Sequence, residues 1–185
     1  MRVVSVNTGK KRTIVFNNRT VETGIFKTSV DGPIYLGSEH VKGDAIIDRK
    51  HHGGIDQAVY GYSEKHYLFW QKKYDFAEMN YGLFGENITF DDLDETKIRV
   101  GSIFRCEDVL IEATSPRYPC YKLGVVFKTQ NIVKEFWETT KSGVYFKVLS
   151  SGEVKAGSEF VQVEAAAKQP TISQVYEQSR PSKVQ

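Results

Sequence analysis

The residues best suited to chemistry lie in segment 115–123, which reads Ser-Pro-Arg-Tyr-Pro-Cys-Tyr-Lys-Leu. It contains Cys120, one of two cysteines in the chain, with Arg117 and Lys122 on either side. The thiolate is the form of cysteine that acts as a nucleophile or a metal ligand, and nearby positive charge favours it. Each proline fixes its own φ angle and restricts the residue before it. The segment therefore predicts a stiff, extended loop that presents Cys120 as a reactive group.

Cys106, the other cysteine, ends the strand-like run 100–106 and is predicted to be structural. Free cysteine is most often a small buried hydrophobe. A chain of 185 residues can bury a sufficient core without a framework of disulfides. Both cysteines are therefore expected to be reduced thiols, as in a cytosolic protein.

A second candidate site is the pair Gly53-Gly54, which follows His51 and His52 within segment 48–60. Adjacent glycines let the backbone approach a ligand and turn its N–H groups toward an anion. Paired histidines also suggest a metal, but the chain has no CxxC or HExxH motif and only four histidines. The pattern therefore favours an anion-binding loop, although a glycine pair also occurs in simple tight turns.

A third segment, 81–89, has two close glycines and then Glu86-Asn87 before a strand-like run. It predicts a loop held by side-chain hydrogen bonds, and a capped turn between strands fits equally well. The chain lacks the GxGxxG and P-loop motifs that bind dinucleotides and nucleotides. Two cysteines cannot supply the four thiolates of an ordinary iron–sulfur cluster. The sequence thus shows no electron-transfer centre of its own.

Composition limits the classes of partner. The apolar fraction of 40% and the charged fraction of 26% are typical of an ordinary globular protein. A net charge of +2 is too small to argue for nucleic acid or an anionic membrane surface. The first residues lack the apolar core of a signal peptide, and no apolar run reaches membrane-spanning length. The expectation is one domain in the cytoplasm, with neither a nucleic acid nor a membrane as partner.

Most of the chain reads as short β-rich segments separated by turn residues. The clearest are residues 2–6, 12–16, 25–29, 109–114, 144–149 and 159–164. Many short strands with few helices favour a mainly β fold, a β-barrel or a folded-over sheet, with a few short α-helices.

Helices are predicted over Ser63–Tyr74, with Ser63 as N-cap, and over Asn131–Lys141. Each places its aromatic residues at helical spacing, which is most simply core packing. His66 lies on the stripe of the first helix and is interpreted as structural. A further short helix is predicted at Ala165–Lys168, followed by a frayed end.

Taken together, these segments resemble the MOSC domain, the module named for the C-terminal part of molybdenum cofactor sulfurase. The likeness is greatest to the free-standing bacterial YiiM-like proteins. The matching motifs stand in the family's order and are His52-Gly53-Gly54-Ile55-Asp56, His66-Tyr67-Leu68-Phe69-Trp70, Gly85-Glu86-Asn87 and the loop 116–123. Several motifs in order are more specific than any one alone. The resemblance implies a MOSC domain over residues 1–165 and a short helical or frayed tail over 166–185.

The resemblance implies a β-barrel of MOSC type whose pocket holds the molybdenum cofactor (molybdopterin). The cysteine that ligates molybdenum in the family falls on Cys120, and a soft thiolate suits a metal already held by sulfur. The phosphate and pterin need cations and backbone donors. The candidates for these contacts are His52, Gly53, Gly54, Arg117 and Lys122.

Two other positions are expected to hold loops in place, and two features depart from the family pattern. Asp56 and Asn87 are expected to hold loops in place. Gln57 stands where relatives usually carry Lys or Arg, so one cationic contact is expected to be absent. The tail is shorter than the helical extension of the YiiM-like proteins. The sequence therefore leaves open whether the protein forms a homodimer.

The implied function is an oxidoreductase that reduces small N-hydroxylated compounds, such as hydroxylaminopurines or amidoximes, with electrons from a separate reductase. A sulfur carrier that holds a persulfide on Cys120 is the alternative, because a reactive exposed cysteine suits both tasks. An anion-binding barrel with an incidental cysteine is a third reading, and the ordered motifs argue against it.

Overall fold

The fold is given by a computed structural model that describes residues 1–45, 47, 53–74 and 79–181. Strands outnumber helices. The strands are β1 Val3–Gly9, β2 Arg12–Phe16, β3 Arg19–Thr23, β4 Lys27–Ser29, β5 Ile34–Leu36, β6 Val59–Ser63, β7 Ile88–Phe90, β8 Ile103–Cys106, β9 Val109–Pro116, β10 Val144–Ser150, β11 Gly152–Val154 and β12 Val161–Glu164. The helices are α1 Glu64–Tyr74, α2 Tyr121–Val126, α3 Asn131–Glu138 and α4 Ile172–Gln178, with a 3₁₀ helix at Ile55–Gln57. The predicted mainly β fold with a few short α-helices is confirmed.

Eight strands form one mixed sheet in the order β12-β8-β9-β10-β6-β7-β1-β4. The pair β6–β7 is parallel, and α1 supplies the crossover that a parallel connection needs. A bridge between Arg2 and Glu159 joins the residues before β1 to those before β12. The amide of Val3 donates there to the carbonyl of Ser158 at 2.8 Å. The sheet therefore curls back on itself through isolated contacts, while its strand order is open within the described residues.

Two buried clusters lie on opposite faces of the central strands. Along β10, Val144 and Phe146 join a mainly aliphatic cluster, whereas Tyr145 between them joins an aromatic one. In β6, Val59 and Tyr60 divide in the same way. Successive strand side chains point to opposite faces, so one strand serves both clusters. We call them the sheet core and the aromatic cluster; the second also takes residues from all four helices.

The helix predictions met different outcomes. The first helix is confirmed, since α1 spans Glu64–Tyr74 directly after Ser63. The second begins at Asn131 as predicted but ends at Glu138, because Thr139 is extended. The helix expected at Ala165–Lys168 is wrong.

Ala166 explains that last error, since its φ of 41° is incompatible with a right-handed helix and the segment is a turn. The helix starts later, where Thr171 and Gln174 form a reciprocal capping box at the first turn of α4. Among the described residues, no helix has the length and apolar character needed to cross a membrane.

Candidate functional site

A cavity opens where the ends of several strands meet the loop after β9. The space within it that the centres of water-sized molecules can occupy is about 90 Å³, and its mouth is open to solvent. Its lining includes three residues singled out from the sequence: Arg117, Cys120 and Lys122. The proline-containing loop thus delivers all three to one space.

Cys120 occupies the junction between the loop and α2. It is the N-cap residue of α2 and has an extended backbone, with φ −132° and ψ 169°. Its carbonyl accepts a hydrogen bond from the amide of Leu123 at 2.9 Å, which fixes the turn into the helix. The side chain is half-buried and lines the cavity. The predicted extended loop is found here, and the thiol is within reach of a molecule in the cavity.

Arg117 is a buried cation in the wall of this cavity, with 4% of its surface exposed. Its guanidinium carbon lies 5.2 Å from the ring centre of Tyr60, a cation–π contact. Burial opposes the charge, but Tyr60, Tyr145 and Cys120 raise the pKa of Arg117 above its ordinary value. Nη1 is buried and has no hydrogen-bond partner in the part of the chain that the structure describes. A buried guanidinium with an unmet donor is suited to an anionic ligand.

The other candidates from the sequence differ in their position relative to the cavity. Lys122 is buried in the cavity wall, 8% exposed, on the first turn of α2. Gly53 and Gly54 precede the 3₁₀ helix and do not line the cavity. Gly54 has a φ of 102°, a conformation that favours glycine. The anion-binding role of the two glycines stays a prediction, and His52 lies outside the described residues.

Lys27 and Asp44 also line the cavity, and sequence analysis did not single out either of them. The ammonium of Lys27 pairs with Oδ2 of Asp44, and their side chains are 9% and 2% exposed. Burial lowers the pKa of Lys27, and the charge of Asp44 opposes that change only in part. Nothing in the sequence marked this pair, because Lys27 lies in an ordinary strand and Asp44 in a turn 17 residues later.

Asp44 is held rigidly by neighbouring donors. Its Oδ1 accepts from the amide of Gly9 at 2.8 Å, and its Oδ2 from Nδ2 of Asn87 at 2.9 Å. Asn87 is itself fixed to β6, since its Oδ1 accepts from the amide of Tyr60 at 3.2 Å. The amide of Asn87 in turn donates to the carbonyl of Tyr60 at 2.8 Å. Asn87 thus fixes the position of Asp44, and Asp44 fixes that of Lys27.

Gln57 and Asp56 come from the 3₁₀ helix. Gln57 lines the cavity, and its Oε1 is buried without a hydrogen-bond partner among the described residues. A side-chain acceptor therefore stands at the position where relatives usually carry Lys or Arg. Asp56 contributes its carbonyl, which accepts from Oγ1 of Thr114 at 2.6 Å.

Glu86 is fully buried behind the cavity, and its carboxylate is satisfied on one side only. Oε1 accepts from Tyr67, Gly82 and Thr89 at 2.5, 2.8 and 2.9 Å. Oε2 has no hydrogen-bond partner within the described residues. Burial raises the pKa of Glu86. These bonds tie the loop 81–89 together, as the sequence predicted.

The described residues contain no cluster of three or more His, Cys, Asp or Glu side chains that could hold a metal ion. Cys120 offers a single soft ligand at the cavity. A metal held by the described part of the chain must therefore bring most of its own ligands.

Comparisons with known proteins agree with this architecture. The model of the MOSC domain family matches residues 48–161, and the chain therefore belongs to the MOSC domain family. The chain is 35% identical over 156 residues to the uncharacterized protein YflK of Bacillus subtilis, covering 84% of this chain and 70% of that protein. It is 37% identical over 136 residues to YiiM of Escherichia coli, covering 72% of this chain and 61% of that protein.

Two further matches extend the comparison to a named activity and to a solved structure. A protein named reductase from Gibberella moniliformis is 30% identical over 147 residues, which is 78% of this chain but 26% of that protein. The crystal structure of YiiM from Geobacillus stearothermophilus superposes with a TM-score of 0.78 at 32% identity. It covers 95% of this chain and 81% of the other.

Proposed function

We propose that the protein binds the molybdenum cofactor and reduces small N-hydroxylated compounds. The observation that carries this proposal is that the half-buried thiol of Cys120 and the buried guanidinium of Arg117, whose Nη1 has no hydrogen-bond partner among the described residues, line one cavity. The MOSC family is associated with molybdenum cofactor binding, and one relative bears the name reductase. Both associations support an oxidoreductase.

The residues present fit this cofactor. Cys120 would ligate the metal, because a thiolate suits a centre that already has sulfur ligands. Arg117 would hold the terminal phosphate with its unmet donor, and Lys122 adds a second buried cation at the same wall. Gly53, Gly54 and His52 are candidates for the remaining contacts. When bound, the cofactor supplies the two-electron chemistry of molybdenum.

The reaction consumes two electrons and two protons, in the form R–NH–OH + 2e⁻ + 2H⁺ → R–NH₂ + H₂O. A separate reductase would provide the electrons, since the sequence has no dinucleotide motif and two cysteines only. The cavity would orient the hydroxylated nitrogen beside Cys120 and limit the access of water. Hydroxylaminopurines and amidoximes are the substrate classes proposed.

The first experiment compares wild type with Cys120→Ser and with Cys106→Ser as a matched control. All three are expressed in cells that make the cofactor, and molybdenum and pterin are measured in the purified proteins. We expect both in wild type and Cys106→Ser, and loss of molybdenum in Cys120→Ser. Full metal loading and amidoxime reduction by Cys120→Ser would show that Cys120 does not have this role.

A sulfur carrier is the second candidate. It is favoured by the half-buried position of Cys120, which an acceptor could reach, and by the lack of a multidentate metal cluster in the described residues. In this case wild type purified without metal would carry a mass increase of one sulfur atom on Cys120. Molybdenum and pterin in wild type, with no such adduct, would reject the carrier.

A further inference from the structure

Lys27 is a cation in the same cavity as Cys120, yet it lies on a different part of the fold. It comes from β4, at the edge of the large sheet, whereas Cys120 follows β9. The two side chains therefore face a bound molecule from two separate elements. Arg117 and Lys122 come from the loop and helix that carry Cys120, so among the described residues Lys27 is the cation contributed from elsewhere.

The contacts that hold Lys27 in place suit proton transfer more than simple charge neutralisation. Asp44 is its one ion-pair partner among the described residues, and that carboxylate is held by Gly9 and Asn87. A positioned carboxylate keeps the ammonium in one place and favours its charged form. Solvent can reach the site through the open mouth of the cavity, so a proton given up by Lys27 can be replaced.

The charged groups around Lys27 come from several elements. Asp44 and Glu86 favour its charge, whereas burial and Arg117 oppose it. Cys120 and Lys122 also line the cavity. Burial is the largest of these influences and lowers the pKa of Lys27 below its ordinary value of 10.5. A general acid works best when its pKa lies near the working pH.

The guanidinium and the phenols that line the cavity with Lys27 are poorer donors. A guanidinium does not release its proton in proteins, which excludes Arg117. Burial raises the pKa values of Tyr60 and Tyr145 above that of ordinary tyrosine, so both hold their protons more firmly. A buried lysine, in contrast, readily changes its protonation state.

We propose that Lys27 is a catalytic residue that protonates the oxygen leaving the N-hydroxylated substrate, and that Asp44 positions it. This inference rests on the function proposed above. The N–O bond breaks as two electrons arrive from the separate reductase. The oxygen leaves as water after taking one proton from Lys27, and the nitrogen takes the second proton from solvent. Lys27 then regains its proton through the cavity mouth, so the reaction balances.

The test uses Lys27→Arg, which keeps the charge but cannot donate a proton, and Lys27→Met. Lys97→Met is the matched control, since Lys97 also pairs with an aspartate but is 80% exposed. Molybdenum and pterin content, kcat and KM are measured with an amidoxime and a reduced viologen dye as electron donor. We expect wild-type cofactor content in Lys27→Arg, little change in KM, and kcat lowered about 10²–10⁴-fold. Lys97→Met should match wild type.

The pH profile gives a readout that a structural role would not change. The wild-type kcat should fall as pH rises through the pKa of Lys27, below 10.5, and this basic limb should be absent in Lys27→Arg. Asp44→Asn removes the favourable charge, so the limb should move to lower pH. Independently of activity, reductive ¹³C-methylation and NMR of the protein as purified should show Lys27 titrating below Lys97.

The outcomes of these experiments separate the proposed function from the role of Lys27. Wild type without pterin or amidoxime reduction would overturn the proposed function, and the role of Lys27 with it. An active wild type with an equally active Lys27→Arg would overturn this inference alone. A fall in activity that merely follows a fall in pterin content would make Lys27 a cofactor anchor instead. Lys27→Met is read only if its circular dichroism matches wild type, and Lys27→Arg carries the test otherwise.

Discussion

Two buried pairs, each of a basic side chain and a carboxylate, have similar burial and different surroundings in this protein. Lys27 and Asp44 line the cavity that holds Cys120, with side chains 9% and 2% exposed. His66 and Glu95 are 10% and 4% exposed and do not line that cavity. Burial alone therefore does not separate a group available for chemistry from a group that holds the fold together.

The contacts of each pair make the difference. Nε2 of His66 lies 2.8 and 2.9 Å from the two oxygens of Glu95, and the amide of Gly143 donates to Oε1 at 2.7 Å. Both oxygens are thus engaged, and the pair joins α1 to the residues before β10. At Lys27 the carboxylate is engaged on both oxygens too, but the cation faces a space that a ligand can enter.

The largest effect should come from breaking the enclosed pair. Glu95→Ala leaves His66 and the amide of Gly143 without a partner in a buried place, so we expect a loss of about 3–5 kcal/mol of unfolding free energy. Urea denaturation followed by circular dichroism measures it. Asp92→Ala, which removes an exposed pair with Lys65 beside the same helix, should cost less than about 1 kcal/mol. A similar loss in both variants would contradict the comparison.

A smaller, pH-dependent effect should distinguish the cavity pair. Because the pKa of Lys27 is lowered by burial, the unfolded chain binds more protons than the folded one between that value and 10.5. Wild type should therefore gain stability relative to Lys27→Met as pH rises through this window, and the gain should level off above 10.5. Its slope cannot exceed about 1.4 kcal/mol per pH unit.

The measurement for this prediction is a series of urea denaturations of both proteins from pH 7 to pH 10.5. Tyrosines with raised pKa values are present in both proteins, so their titration cancels in the difference. A difference that stays flat would mean that Asp44 fully offsets burial at Lys27, and one that falls with pH would mean that Asp44 outweighs it.

The smallest effect should follow a change that leaves both pairs intact. Tyr118 stacks on Trp137 with ring centres 5.4 Å apart, and its hydroxyl lies 2.8 Å from Oγ of Ser179. Tyr118→Leu should cost about 0.5–1.5 kcal/mol, because it loses the ring stacking. Hydrogen exchange should become faster in the loop before Cys120 and at the end of α4, and stay unchanged around His66. Faster exchange at His66 would show that the regions are coupled.

The sequence predicted those features that depend on neighbouring residues. Short β-rich segments between turn residues located six of the twelve strands in the described residues, and aromatic spacing located α1. Arg117, Cys120 and Lys122 reached one cavity because a single short loop carries all three. The prolines of that loop predicted an extended backbone, and Cys120 has one.

The sequence could not predict contacts made only by the folded chain. Lys27 meets Asp44 because β4 pairs with β1, and Gly9 at the end of β1 also binds the carboxylate. Neither residue stands in a motif. Helix α2 has six residues, too few for a periodic pattern, and the turn at Ala166 depends on a positive φ that alanine rarely adopts.

The stacked rings next to the cysteine loop give the protein an optical property. The chain has two tryptophans. Trp70 is fully buried and donates from Nε1 to the hydroxyl of Tyr62 at 2.9 Å. Trp137 packs against both Tyr118 of the loop and Tyr176 of α4, with ring centres 5.4 and 5.0 Å away. The fluorescence of Trp137 should therefore change when the loop moves. The fluorescence of Trp70 should stay constant and serves as a reference.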